Sequence, residues 1–197
     1  GDKSLTLANK LINKKILNFK IFSIEPTDYA FKKQMININL NPSLKKKIFP
    51  SKFFISYKKK TPKKVYSSWK LDTKKRAHKI HRGFLMNIDK KTKSISMDEF
   101  IKKNNISDKL IIKIDVDGFE MGVLKSLIKT LKRRSPIIYM EYAPYALMEN
   151  DSSVEELQRF LKKYKLKIYD LSFKRLNSLS ISEGSSIDII LAKNMPT

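Results

Sequence analysis

The sequence predicts an α/β fold, a doubly wound and mostly parallel sheet that closes in an antiparallel pair of strands. Three observations carry that reading. The stretch 110–141, LIIKIDVDGFEMGVLKSLIKTLKRRSPIIYME, reads as strand, acidic turn, helix and strand. Short β-branched runs alternate with helically spaced apolar stripes along most of the chain, the pattern of strands linked by crossover helices. The last two strand-like runs, 166–171 and Ile187–Ala192, have no helical stripe between them, which suits an antiparallel hairpin at a sheet edge.

Taken in order, Gly1-Asp2-Lys3-Ser4 runs straight into Leu5, Leu7, Ala8, Leu11 and Ile12, a glycine turn feeding an amphipathic helix. The strand expected before such a turn is missing. FKIFSI, residues 19–24, is a strand ending at Glu25-Pro26. Thr27 is placed to cap a helix whose stripe is Ala30, Phe31, Met35 and Ile38. Residues 48–56 read as a strand interrupted by Pro50, so it is an edge strand or begins after the proline. Residues 57–95 break the alternation: they are Lys-rich and irregular, and hold Trp69, His78 and His81. The alternating pieces 65–69 and 80–85 predict a hairpin or loop insertion there.

Ser96, with Glu99 three residues on, predicts a capping box for a helix over 97–104. Residues 110–114 are too few and too β-branched for a helix and suit a buried parallel strand. Asp115-Val116-Asp117-Gly118 ends that strand with turn chemistry. Leu124, Leu127, Ile128 and Leu131 then recur at helical spacing until Ser135-Pro136 stops the helix. Residues 137–140 form a second buried strand, ending on Glu141. Ser153, with Glu156 at the third position, caps a helix over Val154–Tyr164. Residues 1–197 are thus expected to be one domain lacking its first strand, with a basic insertion at about 57–95.

Composition narrows the function classes. No run of about 18 apolar residues occurs, the length a membrane-spanning helix needs, and no basic-then-apolar leader opens the chain. With no cysteine, disulfides, thiolate metal sites and cysteine nucleophiles are excluded, and the cytoplasm is the expected compartment. The net charge of +23 has two readings. One is a polyanion partner: nucleic acid, anionic lipid or an acidic saccharide. The other is lysine-rich composition. Among the 42 basic residues only Arg76, Arg82, Arg133, Arg134, Arg159 and Arg175 are arginine, the side chain favoured for bidentate phosphate recognition. The second reading is preferred, which argues against a nucleic-acid partner.

Ligands of open α/β sheets bind beyond the carboxyl ends of the strands. Glu25, Asp115 and Glu141 fall there, with Asp117 and Glu120 in the turn after Asp115. Glu25 follows the glycine turn at the spacing of an acid that accepts hydrogen bonds from a ribose diol; capping of the next helix is the ordinary alternative. Asp115 and Glu141 are read as functional. Asp117 and Glu120 are equally consistent with a turn residue and a favourable charge at a helix start. Carboxylates held together raise one another's pKa, so one of them could act as general base. Adding Glu141 gives an oxygen set of the kind that holds Mg²⁺, though no residue is assigned to a metal. His81 is a candidate substrate-side residue, against the plainer reading of a solvated loop histidine. Trp69, with Tyr66 and Phe84, offers a sugar-stacking wall or the core of a local hairpin.

These residues together resemble a known family. IIKIDVDGFEMGVLKSL followed by PIIYMEY is similar to the signature of the FkbM-type S-adenosylmethionine-dependent methyltransferases, K-I-D-V-E/D-G-x-E…V-L-x-G with a following P-x-I-x-x-E strand. SMDEF at 96–100 resembles that family's T-L-D-x-F segment, and FSIEPTDYAFKKQMININLN at 22–41 its F-E-P-x-x-x-x-F…L-x-x-N-x-x-L-N segment. Gly1 to Leu5 resembles the tail of its cofactor loop. The closing pair of strands without a helix between them likewise resembles the ending of Rossmann-like methyltransferases. Ser126 stands where the family usually has glycine, a departure expected to be a minor packing change.

The resemblance implies a class I methyltransferase fold with S-adenosyl-L-methionine as donor. It implies that Gly1 is the last glycine of the cofactor loop, that Ser4 opens the first helix, and that Glu25 holds the ribose. It implies further that Asp115 and its neighbours face the acceptor, a hydroxyl of a sugar, glycan or small natural product. Methyl transfer from a sulfonium is an in-line displacement, so the protein supplies alignment, and an alcohol acceptor must also lose its proton. The rival from another class is a non-catalytic domain that binds nucleic acid or an anionic surface through the Lys-rich insertion. Methylation of a nucleic-acid amino group is disfavoured, since no N/D-P-P-Y-like segment occurs.

Overall fold

The computed structural model describes residues 2–58, 60–71, 83–179, 181–182 and 184–195. Gly1, His78 and His81 lie outside the described residues, as do the side chains of Trp69, Tyr66 and Phe84. The chain divides into two compact units. The first comprises Gly1–Ile55, Lys59–Val65 and Leu85–Ile95; the second comprises Ser56–Lys58, Tyr66–Phe84 and Ser96–Thr197.

In the first unit, helix α1 (Asp2–Asn13), strand β1 (Ile21–Ile24), helix α2 (Asp28–Asn39) and strand β2 (Ile48–Ser51) follow the predicted order. β1 and β2 pair in parallel, Ile21 opposite Ile48. Their core joins Ala8 of α1, Ile38 of α2, Leu44 and Ile48, with Leu5, Ile12, Phe19 and Ile21 packed around it. Pro50 lies opposite Ser23, tolerated because β2 is an edge strand of a two-stranded sheet. The expected strand over 48–56 is therefore two: β2, and β3 (Phe54–Ile55). Strands β4 (Lys64–Leu71) and β5 (Gly83–Asn87) form a two-stranded sheet within the expected insertion. Strand β6 (Ser94–Ile95) runs parallel to β3.

The second unit is built on helix α3 (Met97–Lys103), strand β7 (Ile111–Ile114), helices α4 (Glu120–Lys125) and α5 (Ile128–Arg133), and strand β8 (Ile137–Tyr142). Helices α6 (Pro144–Glu149) and α7 (Val154–Tyr164) and strands β9 (Lys167–Tyr169), β10 (Arg175–Leu176) and β11 (Ile187–Ala192) complete it. Its five strands take the order β10-β9-β11-β8-β7, with β7 and β8 parallel and β11 antiparallel to both neighbours. Side chains alternate between faces. Ile112, Ile114, Ile138, Met140, Ile189 and Leu191 are buried on one, matched by buried Met121, Leu124, Leu127 and Leu131 of α4–α5 and Leu157 and Leu161 of α7. Each such side chain contributes about 1.5–3 kcal/mol of burial. The opposite face is more open, with Ile111 73% exposed.

Four expectations change. The α/β alternation is present, but the described strands form one five-stranded mixed sheet and three two-stranded ones, so a single doubly wound sheet is not traced among the described residues. The closing strands are antiparallel as expected, but β11 lies between β8 and β9 and the edge belongs to β10. β11 is buried from Ile189 to Ala192, which suits an interior strand, while β10 has only two residues, too few to show a period. Glu141 is inside β8, which runs on to Tyr142. The fourth change is that the helix expected after Gly118 is broken into α4 and α5.

Ser126 and Asp98 account for that break. The Ser126 hydroxyl donates to the Val123 carbonyl (2.7 Å) and accepts the Met97 N–H (3.1 Å). Asp98 accepts the N–H groups of Lys129 and Thr130, each at 2.8 Å, and the Thr130 hydroxyl at 2.6 Å. It thereby satisfies the unpaired donors that open α5. The Ser96–Glu99 capping box forms as predicted, so α3 and α5 are locked end to end, and Ser126 is a joint rather than a minor packing change. Asp98→Ala should cost about 2–3 kcal/mol, the loss of charge-assisted bonds to an otherwise unsatisfied helix start. Urea denaturation reads this directly; a change below about 0.5 kcal/mol would show that α5 does not depend on Asp98.

Candidate active site

At the carboxyl end of β7 the chain turns through Asp115–Phe119. Asp117 takes the left-handed backbone conformation (φ 47°), which Asp tolerates, and Gly118 follows at φ 97°. A Cβ on Gly118 would collide with the Ala146 carbonyl and the Asn150 side chain, so only glycine lets this turn lie against α6. Asn150 donates to the carbonyls of Asp117 (3.4 Å) and Ala146 (3.2 Å), holding turn and helix together. α6 was not foreseen from the sequence, though Pro144 at its first position is a recognisable start signal.

Glu120 lies beneath this turn. It is 4% exposed and accepts the Gly118 N–H at 3.1 Å. Burial pushes its carboxyl up to about 7; donation from backbone N–H groups pulls the other way, and the Asp117 charge adds to the rise. The cause is thus desolvation first, and mutual repulsion of carboxylates only second. Position and bonding make Glu120 the organiser of the turn.

Asp115 and Glu141 sit on the open face of the sheet. Lys113 Nζ pairs with Asp115 at 2.5 Å and lies 5.3 Å from the Tyr139 ring centre. Tyr139 is opposite Lys113 in β7 and Ile190 in β11. Its phenol is pushed up to about 12, by desolvation first, then by its hydrogen bond with Asp188 and the charges of Asp115 and Glu141. Glu141 is opposite Asp188 and accepts the Ser186 hydroxyl at 2.6 Å. On α6, burial raises the Tyr145 phenol, and the charges of Glu141, Glu149, Asp117 and Glu120 add to the rise. Tyr139, Tyr145, Ser186 and Asp188 were all missed in the sequence. Asp188 was legible: it is the one charge in IDIILA, an otherwise apolar run.

Of the residues expected on the cofactor side, the two that can be described, Ser4 and Glu25, belong to the first unit. Ser4 donates to the Ser23 hydroxyl on β1 at 3.1 Å. Glu25 Oε1 accepts the Thr27 N–H (2.9 Å) and hydroxyl (2.7 Å). Burial pushes the Glu25 carboxyl up, and Thr27 opposes this. Thr27 occupies the cap position of α2, but its hydroxyl makes no cap bond, because it is turned to Glu25. Gly1 and His81, and the side chain of Trp69, cannot be placed, since they fall outside the described residues. Among the described residues no three His, Asp or Glu side chains form a group able to hold a metal, so the acids considered for Mg²⁺ do not converge as one ligand set. No helix among the described residues is long and apolar enough to cross a membrane.

The family model of the methyltransferase FkbM domain matches residues 7–168. The chain belongs to the FkbM methyltransferase family. No curated protein and no solved structure matches the chain. The FkbM match runs from α1 to β9 and so takes in Glu25, the acid turn and Glu141.

The buried carboxylate of this FkbM domain gives a pH signature. The Glu120 pKa is raised on folding, so its neutral form favours the fold. That contribution is complete below the unfolded value of 4.5 and is lost as pH rises through about 7. Glu120→Gln removes the dependence. The stability of the wild type relative to this variant should therefore fall by up to about 3 kcal/mol between pH 4 and pH 8. Parallel urea titrations of the two proteins would contradict it if the difference stayed flat with pH.

Proposed function

We propose that this protein is an S-adenosylmethionine-dependent O-methyltransferase acting on a hydroxyl of a sugar, glycan or small natural product. The observation that carries the reading is the FkbM match across the strand ends where the acids stand. The order β7-β8-β11-β9 with β11 antiparallel, and the parallel β1–β2 pair with its two helices, support a doubly wound class I arrangement over residues 1–197, with 57–95 as an insertion.

In this reading Glu25 takes the ribose diol. Its Oε1 is fixed by Thr27, which orients the carboxylate. Gly1 and Ser4 belong to the cofactor side, and His81 and Trp69 to the acceptor side. S-adenosylmethionine when bound supplies an electrophilic methyl group. The chain's own work is to align an acceptor oxygen and take its proton. Asp115 and Glu141 are the groups assigned to that proton, with Asp117 and Glu120 supporting the turn.

Calorimetry on the intact protein should detect S-adenosylmethionine binding, weakened about tenfold by Glu25→Ala, the worth of one good hydrogen bond to a charged group. An intact, folded protein that binds no S-adenosylmethionine would sink the assignment. In assays of S-adenosylhomocysteine release over a panel of monosaccharide and glycan acceptors, Asp115→Asn and Glu141→Gln should each lower turnover about a hundredfold. Cofactor affinity should stay unchanged. Whichever variant keeps full turnover is thereby removed from the reaction.

A further inference from the structure

The first unit is electrically polarised along its strands. Its acids are Asp2, Glu25, Asp28 and Asp89. Asp28 and Asp89 both pair with Lys52, just past the carboxyl end of β2, and Glu25 stands at the carboxyl end of β1. The opposite end, where β1 and β2 begin side by side, is formed by the loops after α1 and α2. These loops, 14–20 and 40–47, contain six lysines and no acid.

The same end carries bare aliphatic side chains. Ile16 is 46%, Leu17 61% and Leu40 74% exposed, among the exposed Lys14, Lys15, Lys20, Lys45 and Lys46. The loops are tied to one another. Lys47 Nζ donates to the Leu17 carbonyl at 2.6 Å and lies over the Phe19 ring, and the Ile21 N–H donates to the Lys47 carbonyl at 2.8 Å. The Ile16–Leu17 tip is itself rigidly built. Lys15 is left-handed at φ 60°, with its N–H on the Ile12 carbonyl and the Ile16 N–H on that of Leu11, a Schellman stop to α1. Such a stop favours an apolar residue at Ile16, against Leu11, but it asks nothing apolar of Leu17, which is 61% exposed.

We infer that this end of the first unit docks on an anionic lipid bilayer, with Ile16, Leu17 and Leu40 entering the headgroup–acyl boundary and the surrounding lysines on the lipid phosphates. Aliphatic tips ringed by lysines match that interface in both layers. A nucleic-acid partner fits less well, because this end offers no arginine and its exposed ring, Phe49, is already stacked on Phe22. The loops are already ordered, so little conformational freedom is lost on docking. The inference does not depend on the methyl-transfer reading.

The test is co-sedimentation of the full chain with vesicles of phosphatidylcholine alone and of phosphatidylcholine mixed with phosphatidylglycerol, at physiological salt. The protein should bind the mixed vesicles and not the neutral ones. Lys45→Glu with Lys46→Glu should weaken binding at least about tenfold, each lysine contributing severalfold near an anionic surface. Ile16→Ser with Leu17→Ser should do so by about tenfold through lost apolar burial. Both pairs are exposed, so thermal melting should stay that of the wild type. Failure to bind the mixed vesicles, equal binding to both kinds, or indifference to either variant pair would overturn the proposal. So would binding to polyuridylate that the lysine pair governs and the aliphatic pair does not, which would assign this end to nucleic acid.

Discussion

A carboxylate taken out of water holds the acidic turn in place, and the chemistry proposed for the second unit depends on it. Glu120 has no bulk solvent to satisfy it, so it is bonded to the backbone of the turn just before it. That bond fixes Gly118, and Gly118 in turn is the only residue type that fits under α6. Asp115 and Asp117 then have their directions set by the backbone rather than by their own preferences. A buried, protonatable group costs stability at neutral pH. The return is a rigid mount for the acids that meet solvent, which is what the proposed site would need for pre-organisation.

What the sequence disclosed follows from which interactions are local. The capping box at Ser96, the α7 cap at Ser153, and the strands β7, β8 and β11 are set by residues within a turn of each other, so spacing alone reveals them. The split between α4 and α5 is decided by Asp98, about thirty residues away, and no periodicity within 119–134 could show it. The place of β11 is also non-local: a run of apolar residues says that a strand is buried, not which two neighbours it separates. The four acids of the candidate site were legible because charge beside an apolar stretch stands out. Tyr139 and Tyr145 were not, because tyrosine in a strand or helix is ordinary.

The lysine content illustrates the same limit. Read as composition, a charge of +23 carried almost wholly by lysine looks unspecific. Folding sorts it. In the first unit the acids gather towards the carboxyl ends of the strands and one lysine, Lys52, is drawn in to neutralise two of them, while the amino ends keep lysine alone. A polarised unit has a field that a count cannot reveal, since the field depends on where charges are and not on how many there are.

The proposed transfer places conflicting demands on the acids. A sulfonium donor is cationic and becomes neutral as its methyl group leaves. A carboxylate close to the sulfur therefore stabilises the ground state more than the transition state and gains nothing in rate. Negative charge helps instead at the acceptor, where a proton must go. Asp115 and Glu141 differ in their readiness for that task. Asp115 is already paired with the Lys113 ammonium, a charge-assisted pair suited to anchoring the acceptor molecule. Glu141 gives one oxygen to Ser186, and its other oxygen accepts no hydrogen bond among the described residues. A carboxylate oriented by one hydroxyl with its second oxygen open has the geometry of a general base. Of the two acids proposed for the proton, Glu141 thus has the more open geometry, while Asp115, with Lys113, is also placed to hold the alcohol.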